Sequence, residues 1–154
     1  MGGAVVQTPK LRAEASRQDD YAEHVDKAVW EASSPWEKVL LYGLSDWVAL
    51  DDVHSYVQLA NPGAPLTAIQ DETLGLIREL AEEGLCLLGN LTGDGGRFRT
   101  WNSSVEDSLD RIRGEYVDRH HVENHWPWYC WLEPTAEGNR VAEAIEAKLN
   151  KVSP

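Results

Sequence analysis

The stretch Ser34-Pro35-Trp36-Glu37-Lys38-Val39-Leu40-Leu41 sets where the ordered part of this chain begins to be legible. Ser34 can cap a helix, Pro35 fits the first turn where no N–H is needed, and Glu37 can reach back to complete a capping box. Trp36, Val39, Leu40, Leu44 and Trp47 then recur as one buried stripe. Working outward, Val48-Ala49-Leu50 reads as a short extended run, followed by a helix over Asp51–Ala60 with Asp51 or Asp52 as its cap. Asn61-Pro62-Gly63-Ala64-Pro65 ends that helix. Thr67 and Gln70 offer a second capping box for a third helix running to Glu83, lined by Ile69, Thr73, Leu76, Ile77, Leu80 and Ala81, with Gly84 as a left-handed terminator. Leu85–Leu91 and Arg97–Trp101 read as strands, joined by a turn at Thr92-Gly93-Asp94-Gly95-Gly96.

A further helix is expected from Ser103, with Glu106 three residues on and a stripe of Val105, Leu109, Ile112 and Tyr116, stopping near His121–His125 because Pro127 follows. Trp128-Tyr129-Cys130-Trp131-Leu132 looks strand-like. A last helix is striped by Val141, Ala142, Ile145 and Leu149. The order helix, strand, helix, helix, hairpin resembles the winged-helix superfamily. The ending, in which Leu132, Thr135 and Gly138 stand for a Leu-Thr-x-x-Gly turn with Glu133 and Pro134 inserted, is similar to the passage after the wing in many bacterial winged-helix regulators. The resemblance implies a mainly α fold with a small antiparallel β-sheet, a winged-helix-like domain with flanking N- and C-terminal helices. On this reading residues 1–19 are a flexible tail, 20–33 an N-terminal helix striped by Ala22, Val25, Val29 and Ala32, 34–101 the core module, and 102–150 a helix, strand and helix packed on it.

At 154 residues the chain can bury a core without disulfides or metal, and Cys86 and Cys130 lie in apolar runs that suit buried, reduced thiols. No apolar run has the length of a membrane span or the form of a secretory signal, so cytoplasm is the expected compartment. The net charge of −12 opposes phosphate backbones and anionic lipid.

That opposition is concentrated where a winged helix would meet DNA. The third helix of such a fold enters the major groove; here it carries Asp71, Glu72, Glu79, Glu82 and Glu83 against Arg78 alone. Between Asp20 and Gly96 there are 14 acids and 3 bases. Arg97 and Arg99 on the second wing strand are the exceptions. His121 and His125, four apart, would share a helix face with His120, Glu123 and Cys130 nearby, but the Glu is misplaced for a His-Glu-x-x-His site and Pro127 interrupts the helix, so no metal is expected. A phosphate loop and a nucleophile elbow are both missing from the sequence; no cofactor or catalytic residue is assigned. By strand alternation Trp126, Trp128 and Cys130 should face one way and Tyr129 and Trp131 the other; one set is core, and the other is core as well where two helices sandwich the strand, or, if open, an interface patch.

The function expected from these residues is a non-catalytic, acidic protein-interaction module of immunity- or antitoxin-like type, binding a basic protein through Asp71, Glu72, Arg78, Glu79, Glu82, Glu83, Arg97, Arg99, Trp126 and Trp128. The alternative is a DNA-binding transcriptional regulator of winged-helix type, acting as a homodimer with Arg78, Arg97 and Arg99 on the backbone. A second alternative is a small-molecule or metal sensor using the aromatic, histidine-rich segment.

Overall fold

The computed structural model describes residues 25–94 and 96–152; the expected tail over 1–19 and the start of the N-terminal helix, Ala22 included, lie outside them. The described chain is mainly helical with one small antiparallel sheet. In order come α1 (Lys27–Ala32), α2 (Pro35–Gly43), β1 (Val48–Ala49), α3 (Leu50–Ala60), α4 (Leu66–Glu82), β2 (Cys86–Leu91), β3 (Phe98–Thr100), α5 (Val105–Arg113), a π turn (Gly114–Asp118), a 3-10 turn (Trp126–Trp128), β4 (Trp131–Pro134) and α6 (Ala136–Val152).

Local chemistry starts these elements. The capping box at Ser34 forms as expected: Glu37 N–H donates to Ser34 Oγ at 3.2 Å, and Ser34 N–H donates to Glu37 Oε1 at 2.8 Å. Asp26 caps α1, accepting from Ala28 N–H at 2.9 Å. Helix α2 ends at Gly43, short of Trp47, whose indole instead reaches Glu133 Oε2 at 3.5 Å. Neither Asp51 nor Asp52 is the cap of α3. Asp52 sits one turn inside and its carboxylate accepts from Ala49 N–H at 2.9 Å, doing the same work from the third helical position. The expected Thr67–Gln70 box is replaced by a Pro65 start with no side-chain cap. Gln70 is buried, and its amide donates to the interior carbonyl of Tyr116 at 3.1 Å. Ser104, not Ser103, caps α5, accepting from Asp107 N–H at 3.0 Å, while Ser103 bonds the buried Ser108 hydroxyl.

Helix α4 terminates in a Schellman arrangement: Gly84 lies at φ +73°, Gly84 N–H donates to Ala81 O at 3.1 Å, and Leu85 N–H to Leu80 O at 2.9 Å. The chain passes straight into β2. Strand order is β1-β4-β2-β3, so β4 is interposed between β1 and β2, and β3 is an edge. Leu132 is paired with Val48 on one side and Leu88 on the other, and all three are buried. Leu40, Leu50, Ile77, Leu80 and Ile112 are fully buried within the same core, each contributing about 2 kcal/mol of hydrophobic stabilisation before entropy is counted.

The Thr135-x-x-Gly138 turn seats α6 on this frame. Thr135 N–H donates to Leu85 O at 3.0 Å, its hydroxyl donates to Gly84 O at 2.7 Å, and Gly138 N–H donates back to Thr135 Oγ1 at 3.0 Å. A Cβ on Gly138 would fall 2.1 Å from Leu85 O, so a backbone carbonyl occupies the space a side chain would need. Gly138→Ala is therefore expected to cost about 2 kcal/mol or more in urea unfolding at unchanged m-value. Gly75→Ala, on the open face of α4 with no atom within 4 Å of the new Cβ, should instead gain up to about 1 kcal/mol.

Candidate functional site

Helix α4 turns Ile69, Gln70, Thr73, Leu74, Ile77 and Leu80 inward, which leaves the opposite face to solvent. At 100° per residue, Asp71, Glu72, Glu79 and Glu82 fall on that face and Glu83 continues it at the cap; all five are exposed. Asn61 Nδ2 donates to Glu72 Oε1 at 3.1 Å, holding the first turn of the acidic surface. Arg78 is half-buried and engaged with Glu106 of α5, with Glu82 3.6 Å away. The single cation of α4 is thus committed to carboxylates.

Arg97 and Arg99 belong to the edge of the sheet rather than to α4, and both are exposed. At the turn before them, Asp94 accepts from the Thr92 hydroxyl and from Gly96 N–H at 2.9 Å. Those bonds, then Arg97, hold its carboxyl below the usual range.

Trp126 and Trp128 do not alternate along a strand. They lie in the 3-10 turn, β4 starting only at Trp131. Pro127 fixes its own φ and has no N–H to give to a ladder, which favours a tight turn despite the aromatic neighbours. Trp128 stacks near Trp131 with centroids 6.1 Å apart, and both Trp126 and Trp128 are half-buried rather than forming an open aromatic plate. Trp131 and Cys130 are buried. His121 and His125 do not share a helix face, because the helical run ends at Asp118; His121 is exposed and His125 Nε2 meets Glu115 Oε1 at 2.7 Å. Among the described residues no three side chains of metal-binding type converge.

What sequence reading missed is a polar aromatic cluster under Trp126. The rings of His54, Tyr116, His120 and Trp126 touch pairwise, with centroids 4.8–6.1 Å apart. The π turn frees the Tyr116 carbonyl from the regular ladder, and it accepts from Gln70 Nε2 at 3.1 Å and from His120 Nδ1–H at 2.8 Å. Tyr116 OH lies 2.5 Å from His54 Nδ1. Burial keeps the Tyr116 phenol protonated well above its ordinary range, and we assign it as donor, which leaves His54 as the neutral Nε2–H tautomer. Burial first, and then His120, pushes His54 down to about 4. Burial likewise pushes the Cys86 and Cys130 thiols each up to about 12.

Compared with known proteins, the chain matches no family model, no curated protein and no solved structure. No described helix is long and apolar enough to cross a membrane.

The depressed His54 has a sign that can be measured. Below pH 6.5 the unfolded chain takes a proton there that the folded chain refuses until about 4, so folding stability falls as pH drops through this window. The loss should reach about 3 kcal/mol, and should vanish from the pH profile of chemical unfolding in His54→Phe.

Proposed function

We propose that this chain is a non-catalytic protein-interaction module on a winged-helix-like frame, and that α4 is its contact surface for a basic protein. The observation that carries the reading is the single exposed face shared by Asp71, Glu72, Glu79, Glu82 and Glu83, whose only neighbouring cation on the helix, Arg78, is already paired. A duplex brought to that face would lose counterion release and gain repulsion; a basic protein surface would gain charge complementarity and faster encounter. In an immunity- or antitoxin-like role the carboxylates would stand where a nucleic-acid-binding partner expects phosphates.

The winged-helix likeness rests on element order: α2, β1, α3, α4 and β2 follow it, and the Thr135–Gly138 turn supports it by its contacts with Gly84 and Leu85. The strand between β1 and β2 is β4, so residues 101–130, between β3 and β4, form an excursion from the sheet.

A DNA-binding regulator is the second reading, favoured by exposed Arg97 and Arg99. The sensor reading would need space in the His54–Trp126 cluster, where four rings already pack on one another. Gel shift at low salt separates the first two. The proposed reading expects no retardation of duplex DNA, and capture from the native host of a basic protein that is lost in Glu79→Lys/Glu82→Lys/Glu83→Lys. Salt-sensitive DNA binding abolished in Arg97→Ala/Arg99→Ala would replace it with the regulator.

A further inference from the structure

Among the described residues no strand pairs with the outer side of β3, and the chemistry of that edge is opposite to that of α4. Arg97 O accepts from Thr92 N–H at 2.8 Å and Trp101 N–H donates to Leu88 O at 2.9 Å, so Arg97, Arg99 and Trp101 spend their backbone groups on β2. By the alternation of an antiparallel ladder, the N–H and C=O of Phe98 and Thr100 face away from the sheet. The side chains of Arg97, Arg99 and Trp101 share one face, fixed by Trp101 Nε1 donating at 2.9 Å to Asn90, the register partner of Arg99. From α5, Arg111 lays its guanidinium 3.9 Å from the Trp101 ring centroid and its Nε 3.3 Å from Tyr129 OH. Arg97, Arg99 and Arg111 are all exposed, and among the described residues none has a carboxylate within 4 Å.

In a chain with 26 acids, the exposed Arg97, Arg99 and Arg111 give the β3 edge a cationic character that an anionic segment complements. We propose that the β3 edge is a second interaction surface, which takes an extended acidic segment of a partner protein as an added strand. Backbone pairing with Phe98 and Thr100 supplies affinity, and the two-residue period of the added strand sets its sequence. Residues on the Arg97–Arg99–Arg111 side are Asp or Glu, and those on the Phe98–Thr100 side are apolar. A polynucleotide could satisfy the arginines but has no peptide N–H and C=O groups to pair with the strand edge. Exposed arginines can also simply guard an edge against self-pairing; stacking Arg111 on Trp101 from another element is more than guarding needs.

The test is fluorescence anisotropy on the full chain at low salt, with a labelled octapeptide of alternating Glu and Val. Alternating Lys-Val, a block Glu₄Val₄ peptide and oligo-dT serve as comparisons. Expected are binding of the Glu-Val peptide at least tenfold tighter than of any comparison, a tenfold or greater loss in Arg97→Ser/Arg99→Ser, and new amide-exchange protection at Phe98 and Thr100. Equal binding of the block peptide, protection absent from those two amides, or tighter binding of oligo-dT would each overturn it. So would an Arg97→Ser/Arg99→Ser variant that binds the peptide unchanged but self-associates, since the arginines would then only guard the edge.

Discussion

Everything in this molecule is hung on the double pairing of β4. Leu132 lies between Val48 and Leu88, and the next turn ties Thr135 to the carbonyls of Gly84 and Leu85 at the very point where α4 becomes β2. One short strand and its following turn therefore fix the end of α4, the start of β2 and the start of α6 together. With those three held, the inner face of α4 is committed to the core and its carboxylate face has nowhere to go but solvent. The same pairing makes β3 the edge strand, because β2 has spent its other side on β4. The acidic helix and the basic edge follow from one topological choice.

Between β3 and β4 the chain must leave the sheet and come back, and the polar aromatic cluster is how it is anchored on the way. Tyr116 offers its ring to the core, its carbonyl to Gln70 and His120, and its hydroxyl to His54. A π turn exposes that carbonyl, and Gln70 from α4 with His120 just beyond the turn supply the partners that a regular helix would have supplied itself. Buried polar groups satisfied in this way specify one arrangement more sharply than an all-apolar contact would, at the cost of sensitivity to protonation. The chemistry of the cluster is thus structural: a neutral imidazole and a protonated phenol locking a loop.

The parts of this architecture that were legible in the sequence are those with local causes. The Ser34–Glu37 box and the Gly84 stop act within a few residues, the Thr135–Gly138 turn closes on itself through Gly138 N–H and Thr135 Oγ1, and the stripes of α4 and α5 follow one period. The position of β4 was not legible, since nothing in residues 128–134 says that β1 and β2 will be its neighbours rather than each other's. His54 and Tyr116 are 62 positions apart in the chain, and neither is unusual where it stands. The segment from Trp126 to Trp128 misled because aromatic residues favour strands on a pleated surface, while Pro127 and its neighbours close a turn instead. Of the expected contact residues, the carboxylates of α4 stand together as the period required, whereas Arg97 and Arg99 sit on the sheet edge and Trp126 is absorbed into the interior cluster.

The central claim is that the outward face of α4 repels polyanions and accepts polycations. Amide chemical-shift mapping of the ¹⁵N-labelled chain, titrated in parallel with an arginine-rich peptide and with a short DNA duplex, reads this directly. The account predicts that the peptide moves the resonances of Asp71, Glu72, Glu79, Glu82 and Glu83 as a contiguous patch and that the duplex leaves them where they are. Movement of that patch by the duplex, with the peptide leaving it untouched, would contradict it.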